Sequence, residues 1–315
     1  MELNNLEIAK VIGQPIDATL PVPVELTAIC DIETAEYGDD VYYFAAYDNN
    51  TDTVFTAGDS GEVTPVKKGP SGVTVLPLIG IQSDLAYVTL NEMQKVTSDV
   101  NNKDFSALAR KKAAITRSMD KYEVKTLLTL LLAVTAQEVE LATADDIYSG
   151  IIKMVHKIAD YGDNYVLLAG STVWEAINTY ERDKVGSFNY RLGIKEMLKD
   201  FGIEVIKVVG SVQLDTGGTI AVLSATKAIL IARDSKLKAG KPCLFVRRKI
   251  SPEVATQLGF PVDQAERIIT TIGGLQIVNN SKNILGYGVV GYESVALAIT
   301  NSLATCWCDE LTSPA

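Results

Sequence analysis

The chain has 315 residues, 47% of them apolar, a mean hydropathy of +0.14 and a formal charge of −10. That length supports one large domain or two small ones with a sizeable core, and the overall acidity argues against a protein built to clamp nucleic acid. The longest strongly apolar run, Leu127 to Val134, is too short to span a bilayer, no basic-then-apolar leader opens the chain, and four scattered cysteines (Cys30, Cys243, Cys306, Cys308) suit a reduced intracellular setting.

The opening run, MELNNLEIAKVIGQPIDATLPVPVE, carries prolines at Pro15, Pro21 and Pro23 and shows neither helical nor alternating periodicity. Residues 1–40 read as an extended arm, which buries too little apolar surface to offset chain entropy on its own. From Val41 to Tyr47 the run VYYFAAY is rich in β formers, and strand-like runs follow at Thr53–Thr56, Val73–Ile79 and Leu85–Leu90. Glycines at 58, 61, 69 and 72 supply turns, so this region reads as a long two-stranded excursion with its tip near Gly58–Gly72. A hairpin of that kind is marginal alone and needs a surface to lie on. Arm and hairpin together describe a polypeptide that wraps parts of itself around copies of itself.

From about Asn102 to Leu132 the pattern turns helical, with Phe105, Leu108, Ile115, Met119 and Tyr122 spaced by three, four or seven. About thirty helical residues would form a rod of roughly 45 Å. The Asp120-x-x-Glu123 pair also fits the cap of a second helix, with a kink near Ser118. An α/β body follows, with helices over Asp145–Asp160, Thr172–Tyr180 and Arg191–Asp200. Its strands fall over Tyr165–Ala169, Ile203–Val209, Thr219–Leu223 and Ala228–Ala232, with longer ones at Pro242–Arg248, Leu275–Val278 and Val289–Ile299. No repeat or low-complexity linker interrupts the pattern. The chain reads as one compact α+β unit carrying a rod and two extensions.

The charge is uneven. Residues 1–100 hold sixteen Asp and Glu against four Lys and Arg, whereas residues 101–315 hold twenty-three against twenty-five. A basic cluster at Arg233, Lys236, Lys238, Lys241, Arg247, Arg248 and Lys249 fits contacts with the acidic front of a neighbouring copy, and it equally fits a solvated surface.

Residues that would carry chemistry are sparse. His156, the single histidine, lies off the Ile147/Ile151/Ile158 stripe and reads as a surface side chain; one histidine also rules out a His-rich zinc site. Cys306-x-Cys308 lacks zinc-knuckle spacing, and neither a GxxxxGK[ST] phosphate loop nor a GxSxG elbow occurs. Leu214-Asp215-Thr216-Gly217-Gly218 resembles the catalytic loop of aspartic proteases, where two carboxylates share a proton. Each of its residues is also a good turn former, and the helix and flap that would surround such a loop are not evident. The chain reads as non-enzymatic, with no catalytic, cofactor or metal residue assigned.

The order of arm, glycine-rich hairpin, spine helix and α/β body resembles the major capsid proteins of tailed bacteriophages, the HK97-like fold. Similar stretches are LARKKAAITRSMDKYEVKTLL, NYVLLAGSTVWEAI, KEMLKDFGIEVIKV, TKAILIARDSKLKAGKPCLFVRRK and ILGYGVVGYESVALAIT, in an element order that covers nearly the whole chain. The resemblance implies an arm over 1–40, an extended loop with its base strands over 41–90 and a spine helix of a peripheral domain over 91–140. It further implies an axial domain over 141–234, peripheral return strands over 235–285, and an axial closing strand with the C-terminal tail over 286–315.

In function, the resemblance implies an icosahedral virion shell of hexamers and pentamers, assembled in the host cytoplasm around double-stranded DNA without sequence recognition. It implies a portal and, because the arm after Met1 is short, a separate scaffolding protein; no membrane or cofactor is implied. Candidate contacts between subunits are Glu33, Glu36, Asp39, Phe55, Asp59, Glu62, Lys67, Lys68, Arg247, Arg248 and Lys249. Some relatives cross-link through a loop lysine, and Lys67 and Lys68 lie in that region without an identified partner. Two other readings stand beside this one: an encapsulin-type nanocompartment shell of the same fold, and a hydrolase using Asp215.

Overall fold

A computed structural model describes residues 22–45, 73–89, 107–141, 146–184, 194–213, 218–235, 240–254, 266–279 and 282–311. The front of the chain contributes helix α1 (Val24–Ile29) and strands β1 (Cys30–Ala35), β2 (Val41–Ala45), β3 (Val73–Pro77), β4 (Ile79–Gln82) and β5 (Ala86–Thr89). The middle contributes α2 (Ala107–Ala133), α3 (Ile147–Ile158), β6 (Gly162–Ala169), α4 (Ser171–Lys184) and α5 (Ile194–Asp200). Strands β7 (Glu204–Lys207), β8 (Ser211–Gln213), β9 (Thr219–Ala221), β10 (Ala228–Ser235) and β11 (Cys243–Arg248) follow. The chain closes with β12 (Arg267–Asn279), β13 (Lys282–Ile299) and β14 (Thr305–Cys308).

Two sheets share one helix between them. The smaller has the order β14-β10-β6-β7, with β6 and β7 parallel and the other pairs antiparallel. The larger has the order β1-β11-β13-β12, with β4 and β5 also paired to β13. At 18 residues, β13 reaches about 60 Å and takes β11, β12, β4 and β5 as partners at successive registers.

Strand β6 explains the small sheet. Tyr165, Leu167 and Ala169 face a core built with Ile147, Ile151, Met154 and Ile158 of α3 and Met197 of α5. Val166 and Leu168 face the opposite way, into a second core with Val124, Leu127, Leu128 and Leu131 of α2. A strand buried on both faces reads as a continuous apolar run, which is the pattern of YVLLA. The amphipathic α3 starts on Asp146, whose side chain accepts from the Ser149 amide, as an N-cap should.

Helix α2 is continuous over 27 residues, about 40 Å, with no break at Ser118. It rests directly on β13. A Cβ on Gly291 would stand 2.5 Å from Met119 Sδ and 2.8 Å from Ile115 Cγ2, so the absent side chain is what lets helix and strand approach. No helix among the described residues is long and apolar enough to cross a membrane.

The front of the chain departs from the sequence reading. Residues 22–40 are not an arm: α1 buries Leu26 and Ile29 in the second core, and β1 runs parallel to β11 with Cys30 opposite Cys243. The sequence window hides this because α1 is under two turns long and only two of its residues face inward, too few for a visible period. Strand β5 joins β13 rather than the hairpin, whereas β2 and β3 pair as expected. Strand β14 escapes the sequence reading; four residues, two of them cysteines, show no alternation. The expected strand at Thr53–Thr56, the hairpin tip and the turn at Asp215 lie outside the described residues.

If α1 belongs to this chain's own core, Leu26→Ala lowers the urea-unfolding free energy of a dilute monomer by about 2–5 kcal/mol. An unchanged midpoint would mean that α1 gains its place only in an assembly.

Candidate functional site

The contact candidates fall in three places. Glu33 is exposed on β1. Phe55, Asp59, Glu62, Lys67 and Lys68 lie outside the described residues. Glu36, Asp39, Arg248 and Lys249 come together, but inside a single chain. Lys249 Nζ donates to Glu36 Oε1 at 2.7 Å, while Arg248 Nη1 donates to the Asp39 carbonyl and to Asp40 Oδ1, each at 3.1 Å. These pairs are exposed on the acidic side and of little energetic weight.

Arg247 is removed from the list of outward contacts. It is 2% exposed because β11 alternates, sending Cys243, Phe245 and Arg247 toward the second core and Leu244 and Val246 toward the β2–β3 hairpin. Its guanidinium stacks over Phe245 at 5.1 Å and grips Glu123 of α2: Nε and Nη2 donate to Oε1 at 3.1 and 2.9 Å, and Nη2 to Oε2 at 3.0 Å. Arg267 of β12 completes the group. Its Nη2 lies 3.0 Å from Glu123 Oε2, its Nη1 donates to Asp120 Oδ1 at 2.6 Å, and its Nε donates to Glu293 of β13.

Asp120 and Glu123 are therefore not a helix cap. They are the helix side of a buried charge cluster that ties α2 to three strands. Glu123 and Glu293 have no exposed surface, and Glu293 Oε1 is buried without a hydrogen-bond partner. Burial, then the neighbouring Glu293 carboxylate, push Glu123 up to about 7 against the pull of Arg247 and Arg267. With every group ionised, two arginines face three carboxylates, so a proton on Glu123 would balance the cluster. One sequence signal points here: Arg247 follows Cys243 and Phe245, and Glu293 precedes Val295 and Leu297, at inward positions that are otherwise apolar.

The remaining sequence candidates are quieter. His156 is exposed on α3, and all four cysteines are buried thiols, that of Cys306 pushed well up by burial. Arg233 pairs with Glu204, and Lys241 Nζ with the Thr27 carbonyl, lining an open groove beside α1. Lys236, Lys238 and Asp215 lie outside the described residues. Among the described residues no three His, Cys, Asp or Glu gather as metal ligands.

No family model matches the chain, and no curated protein does. Solved structures match it over its whole length. A chain from Mycobacterium phage Cain is 11% identical, with all of both chains covered and a TM-score of 0.54. One from Microbacterium phage Oxtober96 is 10% identical, covering 99% of this chain and 100% of that one, with a TM-score of 0.51. One from Mycobacterium phage Bobi is 13% identical, covering 98% and 99%, with a TM-score of 0.50. The chain has the HK97-like fold.

The cluster makes stability pH-dependent in a stated direction. The folded chain holds the Glu123 proton up to about 7, whereas the ordinary value is 4.5. Folding therefore takes up protons between these values, and stability falls as pH rises through that window. Urea unfolding across pH 5 to 8 should show Glu123→Gln losing about 1–3 kcal/mol less than the unsubstituted chain. Parallel profiles would place the titration elsewhere. Arg267→Met, which leaves the buried Glu293 carboxylate without its cation while Glu123 keeps Arg247, should cost about 3–5 kcal/mol at neutral pH.

Proposed function

We propose that this chain is a shell-building protein that assembles with copies of itself into an icosahedral viral head enclosing double-stranded DNA. The observation that carries the reading is the β2–β3 hairpin, which is apolar on both faces. Tyr42, Phe44 and Leu76 pack against Ala35, Leu244, Val246 and Ala296 of the chain's own sheet. On the outer face, the register partners Tyr43 and Val75 remain 63% and 52% exposed. An apolar sheet face left open to water marks a contact between proteins, and in this fold the hairpin is the base of an extension. The whole-length likeness to phage-derived chains supports the same reading.

On this reading the copies form hexamers and pentamers, with a scaffolding protein and a portal as partners, in a virion assembled in the host cytoplasm. Glu33, Phe55, Asp59, Glu62, Lys67 and Lys68 contact neighbouring subunits, and the role is structural rather than catalytic. Large contacts spread over many neighbours suit a container under internal pressure better than one rigid interface.

Electron microscopy of the purified protein should show large closed particles. Small shells of few copies would favour a nanocompartment, and a chain that stays monomeric under all conditions would overturn the reading. Tyr43→Ser with Val75→Ser, or deletion of residues 56–72, should leave monomer unfolding unchanged and abolish particles.

A further inference from the structure

Helix α2 carries a feature that the core does not use. Its two acids, Asp120 and Glu123, turn inward onto Arg267 and Arg247. Five of its six cations lie off the side that meets β13: Arg110, Lys111 and Arg117 are exposed, and Lys121 and Lys125 are half-buried, while the half-buried Lys112 falls on the Ile115–Met119 side. Arg110, Ala114, Arg117, Lys121 and Lys125 recur every three or four residues, with Lys111 and Ser118 beside them, so they share one side of the helix. That row is about 22 Å long. Lys111, Arg117, Lys121 and Lys125 make no ion pair among the described residues, in a chain whose net charge is −10. The stem of Lys121 is held in place by the turn at Gly210, where φ is +114° and a Cβ would stand 2.9 Å from Lys121 Cε.

The chemistry of this face selects its partner. The row itself offers cations and small side chains and no acid; the exposed Tyr122, one turn from Ser118 and Lys125, lies at its border, and Leu130 projects from the opposite side of the helix. A protein partner needs aromatic or aliphatic anchors at the centre of its contact. Evenly charged phosphates need only a row of cations that can come close.

We propose that the outer face of α2 is a sequence-independent contact for double-stranded DNA. This rests on the shell reading for the origin of the DNA and adds the surface that meets it. Each copy supplies about four phosphate contacts, too few for tight binding alone. Many copies side by side on a shell would hold a duplex collectively, while the acidity of the rest of the chain keeps the contact weak enough to release.

The test is fluorescence anisotropy of the full-length protein with a random-sequence duplex between about 50 and 200 mM salt. Arg117→Gln/Lys121→Gln/Lys125→Gln should lower affinity at least about tenfold and reduce the log–log salt slope by about 3. Lys153→Gln/Lys195→Gln/Lys199→Gln, which removes the same charge from α3 and α5, should stay within about twofold of the unsubstituted chain. Equal losses in both variants, or none in the first, would overturn the proposal. So would binding of polyglutamate without binding of DNA, which would assign the face to an acidic protein. Microscopy of the same preparations separates the two readings. Particles that form without any α2-dependent DNA binding retain the shell and remove this contact; α2-dependent DNA binding by a chain that never forms particles does the reverse.

Discussion

Two arginines enclosed between a helix and a sheet set the terms for this fold. Arg247 and Arg267 arise on different strands, and neither can be buried without carboxylates to meet it. Glu123 sits where both can reach, one helical turn from Asp120, while Glu293 closes the group from β13. Satisfying these groups fixes how far α2 slides along the sheet and how it turns about its axis, which generic apolar contacts specify less sharply. A polar group that must be matched favours one arrangement over its near neighbours, at a cost in desolvation that shows in Glu123's raised titration.

The apolar contacts build outward from that fixed arrangement. Gly291 lets Met119 and Ile115 settle onto β13. Further along the helix, Leu127, Leu128 and Leu131 reach the second face of the small sheet, so α2 lies in one core with strands of both sheets. Helix α1 and strand β1 enter that same core from the front of the chain. Helices α3 and α5 pack in a separate core on the other face of the small sheet, and the β2–β3 hairpin on a third cluster over the large one.

Burying both acids inside leaves cations as the only charged residues exposed along the helix, while the hairpin at the sheet's other face leaves aromatic and aliphatic side chains uncovered. The same constraint that positions the helix thereby gives the chain two outward surfaces of opposite character. One suits other proteins and the other suits a polyanion.

Much of this was legible along the chain. The 3.6-residue stripe placed α2 and α3, the apolar runs placed β6, β10 and β11, and the order of elements pointed to the HK97-like fold, because local periodicity reports which side of an element faces a core. Residues whose partners are remote were not legible. Asp120 and Glu123 looked like a local cap because their arginines come 124 to 147 residues later. Arg247 looked like a surface base because it adjoins Arg248 and Lys249, and only the alternation of a paired strand turns it inward. Leu26 and Ile29 looked like part of an arm because two inward residues make no period. Sequence by itself determined which segments become helix or strand; tertiary structure alone decided which charges lie inside, since burial and charge pairing depend on distances that the order of residues does not contain.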